Sequence, residues 1–172
     1  MAYPRVAVRP AARDGVDRRE GGGFDVALAG GYRTILDENA EPVTGTAFAD
    51  SPEMYSAGIN VGYAGFTVGG SWLREDSELA GGADAPSAGD AFDVGATYAV
   101  GPWTVGLTYF TSSVEGAAGG GDDEVDSIEG GFDYALGPGV TTSFSVLYSK
   151  WETGGGLESE GTVGLAGLSL SF

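Results

Sequence analysis

From Phe24 onward the chain alternates apolar with polar or small residues at a period of two, the pattern of a β-strand with one greasy face. The pattern occurs eight times, near residues 24–34, 54–63, 65–74, 90–100, 102–112, 126–136, 139–151 and 160–172. The first run sets Phe24, Val26, Leu28 and Tyr32 against Asp25, Ala27, Ala29 and Arg33. The last sets Thr162, Gly164, Ala166, Leu168, Leu170 and Phe172 against Gly167, Ser169 and Ser171. These runs exceed the typical globular strand of about 5–6 residues and match the roughly 9–11 that a tilted strand needs to cross a bilayer.

The connections alternate as regularly as the strands. Ala64-Gly65, Gly101-Pro102 and Gly137-Pro138-Gly139 are tight turns. Between them lie longer acidic stretches, 35–53, 75–89, 112–126 and 152–159. Short turns at one end and long loops at the other predict an all-β fold, an antiparallel transmembrane β-barrel of the outer-membrane type, with eight strands in this chain. No stretch approaches about 18 consecutive apolar residues, so no transmembrane helix is expected.

The aromatics sort by height along these strands. Phe24, Tyr63, Phe66, Tyr98, Trp103, Tyr134 and Phe172 lie near short turns or chain ends, and Tyr32, Tyr55, Trp72, Phe92, Tyr109, Tyr148 and Trp151 near long loops. Two aromatic belts separated by Val, Leu, Ala and Gly match the two interfaces of a lipid bilayer. A soluble acidic β-domain also alternates, but water gives it no reason to sort aromatics by height.

Composition sharpens this picture. The 172 residues suffice for one domain, and 11% aromatics do not fit a disordered chain. A net charge of −17 argues against nucleic acid, which requires a basic footprint. Arg5, Arg9, Arg13, Arg18 and Arg19 are five of the eight basic residues, so the body is more acidic still. Residues 1–23 show no strand pattern and no apolar run of about 7–15 residues, so they are expected to be a disordered or mis-set lead-in. A secretion signal is then expected outside the sequence. Binding of this basic segment to a membrane surface is the alternative.

The polar face carries Asp25, Asp93, Glu129 and Asp133 with Arg33 as its one evident base, among mostly Gly, Ala, Ser and Thr. A closed eight-strand barrel is just wide enough to be filled by its own side chains. Residues this small would leave it full of holes, and unpaired buried carboxylates are costly. The five charged residues therefore read as lining a wet lumen, one that needs more strands than this chain holds. A one-sign lining concentrates the opposite ion, so a bias toward cations is expected, unless selectivity is set elsewhere. The alternative architecture is a small closed barrel with a structural, anchoring or adhesive role.

With no histidine and no cysteine, the sequence offers no nucleophile and base constellation and no thiolate site, so neither catalysis nor a cofactor is expected. Asp122, Asp123 and Glu124 form a weak Ca²⁺ candidate in a Gly-rich loop.

The runs FDVGATYAVGPWTVGLTYF, DSIEGGFDYALGPGVTTSFSVLYSKWE and GTVGLAGLSLSF resemble the carboxy-terminal half of Gram-negative general porins of the alphaproteobacterial kind. The resemblance covers roughly Met54 to Phe172 and is most specific at the GPW turn, the YALGPGV turn and the terminal SLSF. It implies a homotrimeric sixteen-strand pore in the outer membrane of a Gram-negative bacterium, passing small hydrophilic solutes and ions. It also implies insertion by the outer-membrane assembly machinery, which reads the final Phe172. The constricting loop of such pores comes from the amino-terminal half, so no constriction residue is carried over.

Overall fold

The structure is a computed structural model and describes residues 15–21, 23–34, 47–48, 53–76, 79–80, 88–116 and 121–171. Its strands, in chain order, are β1 (Gly15–Gly21), β2 (Phe24–Thr34), β3 (Ala47–Phe48), β4 (Glu53–Tyr63), β5 (Phe66–Asp76), β6 (Leu79–Ala80), β7 (Ala88–Val100), β8 (Trp103–Val114), β9 (Asp123–Gly137), β10 (Val140–Glu152) and β11 (Glu158–Leu170). Nine of them form one sheet in the order β1-β2-β4-β5-β7-β8-β9-β10-β11. Every neighbouring pair in it is antiparallel. The pairing of β3 with β6 links the connection after β2 to the connection after β5.

The register keeps the two faces apart. Val26 lies opposite Val61, then in successive strands come Val68, Ala96, Leu107, Gly130, Val146 and Gly164. One residue away, Thr67 lies opposite Thr97, followed by Gly106, Gly131, Ser145 and Leu165. A slip of one residue in any pair would turn that strand's apolar set to the wrong side, so the alternation itself fixes the register. Two turns reinforce it. Tyr63 pairs with Phe66 across Ala64-Gly65, whose φ values of 50° and 86° suit a two-residue hairpin turn that follows the strand twist. Pro138-Gly139, with Gly139 at φ 73°, turns β9 into β10, and a register shift between Val140 and Thr141 absorbs the extra residue.

There is no core. Among the described residues none is buried, and Phe66, Leu107, Leu136 and Leu168 are more than half exposed. A single sheet with one apolar face has to bury that face against something. Here no second layer supplies it, and the apolar face is the one with a belt of aromatics at each end.

Four expectations change. The sheet has nine strands, because Gly15–Gly21 pairs with β2 from Gly15 opposite Gly30 to Gly21 opposite Phe24. The lead-in expected over residues 1–23 therefore contains a strand, and residues 1–14 and 22 of it lie outside the described residues. GVDRREG escapes a search for alternation because it has charges at both parities. The closed eight-strand barrel is not formed: β1 and β11 are the two edges of an open sheet. The strands reach further into the acidic connections than the apolar pattern does, with β5 running to Asp76 and β9 starting at Asp123, because ladder pairing continues past the last apolar residue. Phe172 lies outside the described residues.

The Ala64-Gly65 turn can be tested directly. Gly65 holds a left-handed φ, and a Cβ there would sit 2.6 Å from the Ala99 carbonyl oxygen, so Gly65→Val should destabilise the fold by about 2 kcal/mol or more. Ala64→Asn, which suits the left-handed region, should stabilise it by up to about 1 kcal/mol. Urea unfolding in detergent, followed by tryptophan fluorescence, measures both.

Candidate pore wall

The polar face of the sheet is built from small side chains over a glycine-rich backbone. At Gly131 the strands approach so closely that a Cβ would meet the Phe144 carbonyl oxygen at 2.6 Å, and at Gly69 the Ile59 carbonyl oxygen at 2.8 Å. Into this floor open two recesses. One of about 420 Å³ is lined by Thr97, Thr104, Thr108, Glu129, Asp133 and Ser143 among others, and one of about 590 Å³ by Asn60, Thr67, Ser71 and Asp93 among others. Threonine and serine hydroxyls can replace water around a passing solute without filling the space it needs.

Asp25, Arg33, Asp93, Glu129 and Asp133 all lie on this face by register. Asp25 is opposite Gly62, Arg33 opposite Met54, Asp93 opposite Ser71 and Phe110, Glu129 opposite Thr108 and Leu147, and Asp133 opposite Thr104 and Ser143. The Ser71 hydroxyl donates to Asp93, and the Ser127 hydroxyl donates to Ser149 Oγ at 2.8 Å. Glu75, not singled out by sequence, and Asp123, singled out only as a Ca²⁺ candidate, join the same face opposite Met54 and Val114. They lie in stretches assigned to loops, where parity carries no meaning until the strand is known to continue.

The apolar face holds the expected interface aromatics Tyr63, Phe66, Trp72, Tyr98, Trp103, Tyr134 and Tyr148. At the turn end their rings pair across strands: Phe66 with Tyr98 at 4.2 Å, Phe24 with Tyr63 at 4.3 Å and Trp103 with Tyr134 at 4.4 Å between centroids. At the loop end the polar tips find carboxylates. Tyr32 and Tyr55 donate to the two oxygens of Glu53 at 2.9 and 2.6 Å, Trp72 Nε1 to Asp90 at 3.0 Å, and Tyr148 to Glu160 at 2.6 Å. Arg74 adds a second bond to Asp90 at 3.0 Å. This carboxylate collar was missed in sequence. Its signal is an acid two residues from a belt position on the same face, as Glu53 is from Tyr55 and Asp90 from Phe92.

Trp151 does not belong to the belt. It lies opposite Val125 and Ser159 on the polar face, three positions from Tyr148 and so of opposite parity. Height alone suggested a lipid contact, whereas parity decides the side. The Ca²⁺ candidate does not assemble either. Asp123 and Glu124 are consecutive strand residues on opposite faces, and Asp123 Oδ1 accepts from the Gly154 amide at 2.9 Å. Asp122 faces the Ser113 hydroxyl at 3.5 Å, and no three carboxylates converge on one point among the described residues.

A two-faced wall with paired aromatic belts and no core finds its counterpart among known proteins. The model of the Gram-negative porin family matches residues 12–153. The chain belongs to the Gram-negative porins. The match begins before β1, in agreement with a wall that starts upstream of Phe24. Among solved structures, outer-membrane-expressed OmpT of Vibrio cholerae is 14% identical with a TM-score of 0.64, covering 98% of this chain and 58% of that one. The in-vitro folded form of that outer membrane protein gives a TM-score of 0.62 at 14% identity, covering 97% of this chain and 56% of that one. Its trimer form gives 0.53 at 13% identity, covering 93% and 53%. At such identities the likeness establishes the fold, and the chain spans a little over half the length of these relatives. No curated protein sequence matches it. This porin is thus an outer-membrane β-barrel protein of a Gram-negative bacterium, and its apolar face is the lipid face.

The carboxylate collar should matter to the anchoring of the sheet. Glu53→Ala should lower the temperature at which the folded, fast-migrating gel form is lost, whereas Glu53→Gln, which keeps an acceptor, should stay close to the parent. Heating series on semi-native gels distinguish the two.

Proposed function

We propose that this chain forms part of the wall of a water-filled pore through which small hydrophilic solutes and ions diffuse passively, with a preference for cations. One observation carries this reading: over β2, β4, β5 and β7 to β11 the polar face presents six carboxylates, Asp25, Glu75, Asp93, Asp123, Glu129 and Asp133, against the guanidinium of Arg33, and β1 adds one position of each sign, Glu20 opposite Asp25 and Arg18 opposite Ala27. Side chains this small cannot fill a lumen, and carboxylates this numerous require water. A wall of one sign concentrates counter-ions and repels co-ions. Homotrimer formation is part of the proposal and is supported by the trimer form of a structural relative. So is insertion by the outer-membrane assembly machinery through the terminal Phe172. A non-enzymatic role is supported by a sequence without histidine or cysteine.

In the complete pore, Asp93→Asn combined with Asp133→Asn should lower the cation-over-anion permeability ratio by about twofold while leaving assembly intact. Reversal potentials in planar bilayers under a salt gradient give the ratio. An unchanged ratio together with a raised melting temperature would instead assign these carboxylates to a packed interior, where neutralisation relieves a desolvation penalty.

A further inference from the structure

The polar wall is built from small residues, and its largest exceptions gather in one place. Of the aromatic residues in the nine-strand sheet, only Phe110 and Trp151 have the parity of this face. They stand close together near the loop end. Phe110 lies opposite Ser127, Ser127 opposite Ser149, and Trp151 is two residues beyond Ser149, so the two positions are about 12 Å apart. Val125 lies opposite Trp151. Toward the turn end the strip continues through Leu147, opposite Val163, to Leu165, opposite Ser145. Leu165 also lines the recess of about 420 Å³ shared with Glu129 and Asp133, so the strip leads from the loop end down into that recess.

Single exposed apolar residues need no explanation, but a contiguous apolar patch rimmed by polar groups marks a binding surface. Both rings are open to a ligand. Trp151 is 44% and Phe110 37% exposed, and neither pairs with another ring among the described residues. The rim has one sign. Glu129 is the cross-strand neighbour of Leu147, and Asp123 lies two residues from Val125 on the same face, whereas no lysine or arginine has this parity from β8 to β11. Glu129 makes no ion pair among the described residues. A neutral apolar ligand would strip water from these carboxylates without replacing it, and a bare inorganic cation would make no use of the rings. The complement of the surface is a molecule with an apolar body and a positive charge, which the faces of Trp and Phe also attract through the ring quadrupole.

We propose that the strip from Trp151 to Leu165 is a binding site for small organic cations, ammonium ions that carry an aromatic or aliphatic body. The body lies between Phe110 and Trp151 and the ammonium group beside Glu129. The inference rests on the pore reading only in taking this face to be open to water.

With Trp72→Phe and Trp103→Phe, Trp151 is the one tryptophan left and reports on the site. In the folded protein in detergent, benzyltrimethylammonium should change its fluorescence saturably, with an affinity about tenfold or more above that of benzyl alcohol or of potassium ions. Phe110→Ser and Glu129→Gln should each weaken this binding by about fivefold, while Phe110→Tyr should leave it within about twofold. No saturable response, or equal affinities for benzyltrimethylammonium and benzyl alcohol, would overturn the proposal. So would a Trp151 shielded from acrylamide before any ligand is added, because a segment of the protein would then cover the strip. The readout does not pass through conductance. A cation-selective pore without saturable binding sinks this inference alone, and binding by a protein that conducts nothing leaves the site standing while the pore reading falls.

Discussion

Everything in this protein depends on backbone hydrogen bonds that have no substitute. In hydrocarbon a carbonyl or amide without a partner costs several kcal/mol, and no water arrives to relieve it. The sheet therefore has to be continuous, and nine strands joined in antiparallel order from β1 to β11 provide that continuity. Side chains are left with a secondary task. They decide which face meets lipid and which meets water, and the unbroken register from Val26 across to Gly164 keeps that decision consistent. A globular protein is held by its core. Among the described residues this one buries none, and the hydrophobic effect acts instead between one face and the membrane.

The eight longest strands were legible because lipid on one side and water on the other impose strict alternation, and because turns such as Ala64-Gly65 punctuate it. What was not legible follows from the same physics. β1 carries charge at both parities, so its strand character rests on partner pairing rather than on its own pattern. Trp151 has the height of a belt aromatic but the parity of the lumen: the run 139–151 already held it three positions from Tyr148, and sorting by height alone overlooked that parity. The collar of Glu53, Asp90 and Glu160 depends on cross-strand neighbours, which sequence distance conceals. The wall charges Asp25, Arg33, Asp93, Glu129 and Asp133, in contrast, followed from parity alone.

The wall and the belts solve opposite problems with the same backbone. On the lipid face large rings stack across strands and place polar tips at the interface, where Tyr and Trp can be greasy at one end and wet at the other. On the other face size is avoided. Gly69 and Gly131 leave no room even for a methyl group, so neighbouring strands pack directly and the floor stays low. Carboxylates standing on such a floor remain hydrated and act through their field.

The two edge strands have a further consequence through direction. β2 runs from the turn end to the loop end, so β1 before it runs the other way, and with strict alternation across nine strands β11 runs the same way as β1. Edges of like direction cannot meet each other antiparallel. A ring built from this sheet must then either contain a parallel seam or include an odd number of additional strands, the outermost of which run upward at both joints. Parity, rather than circumference, is the first condition that any completing segment has to satisfy.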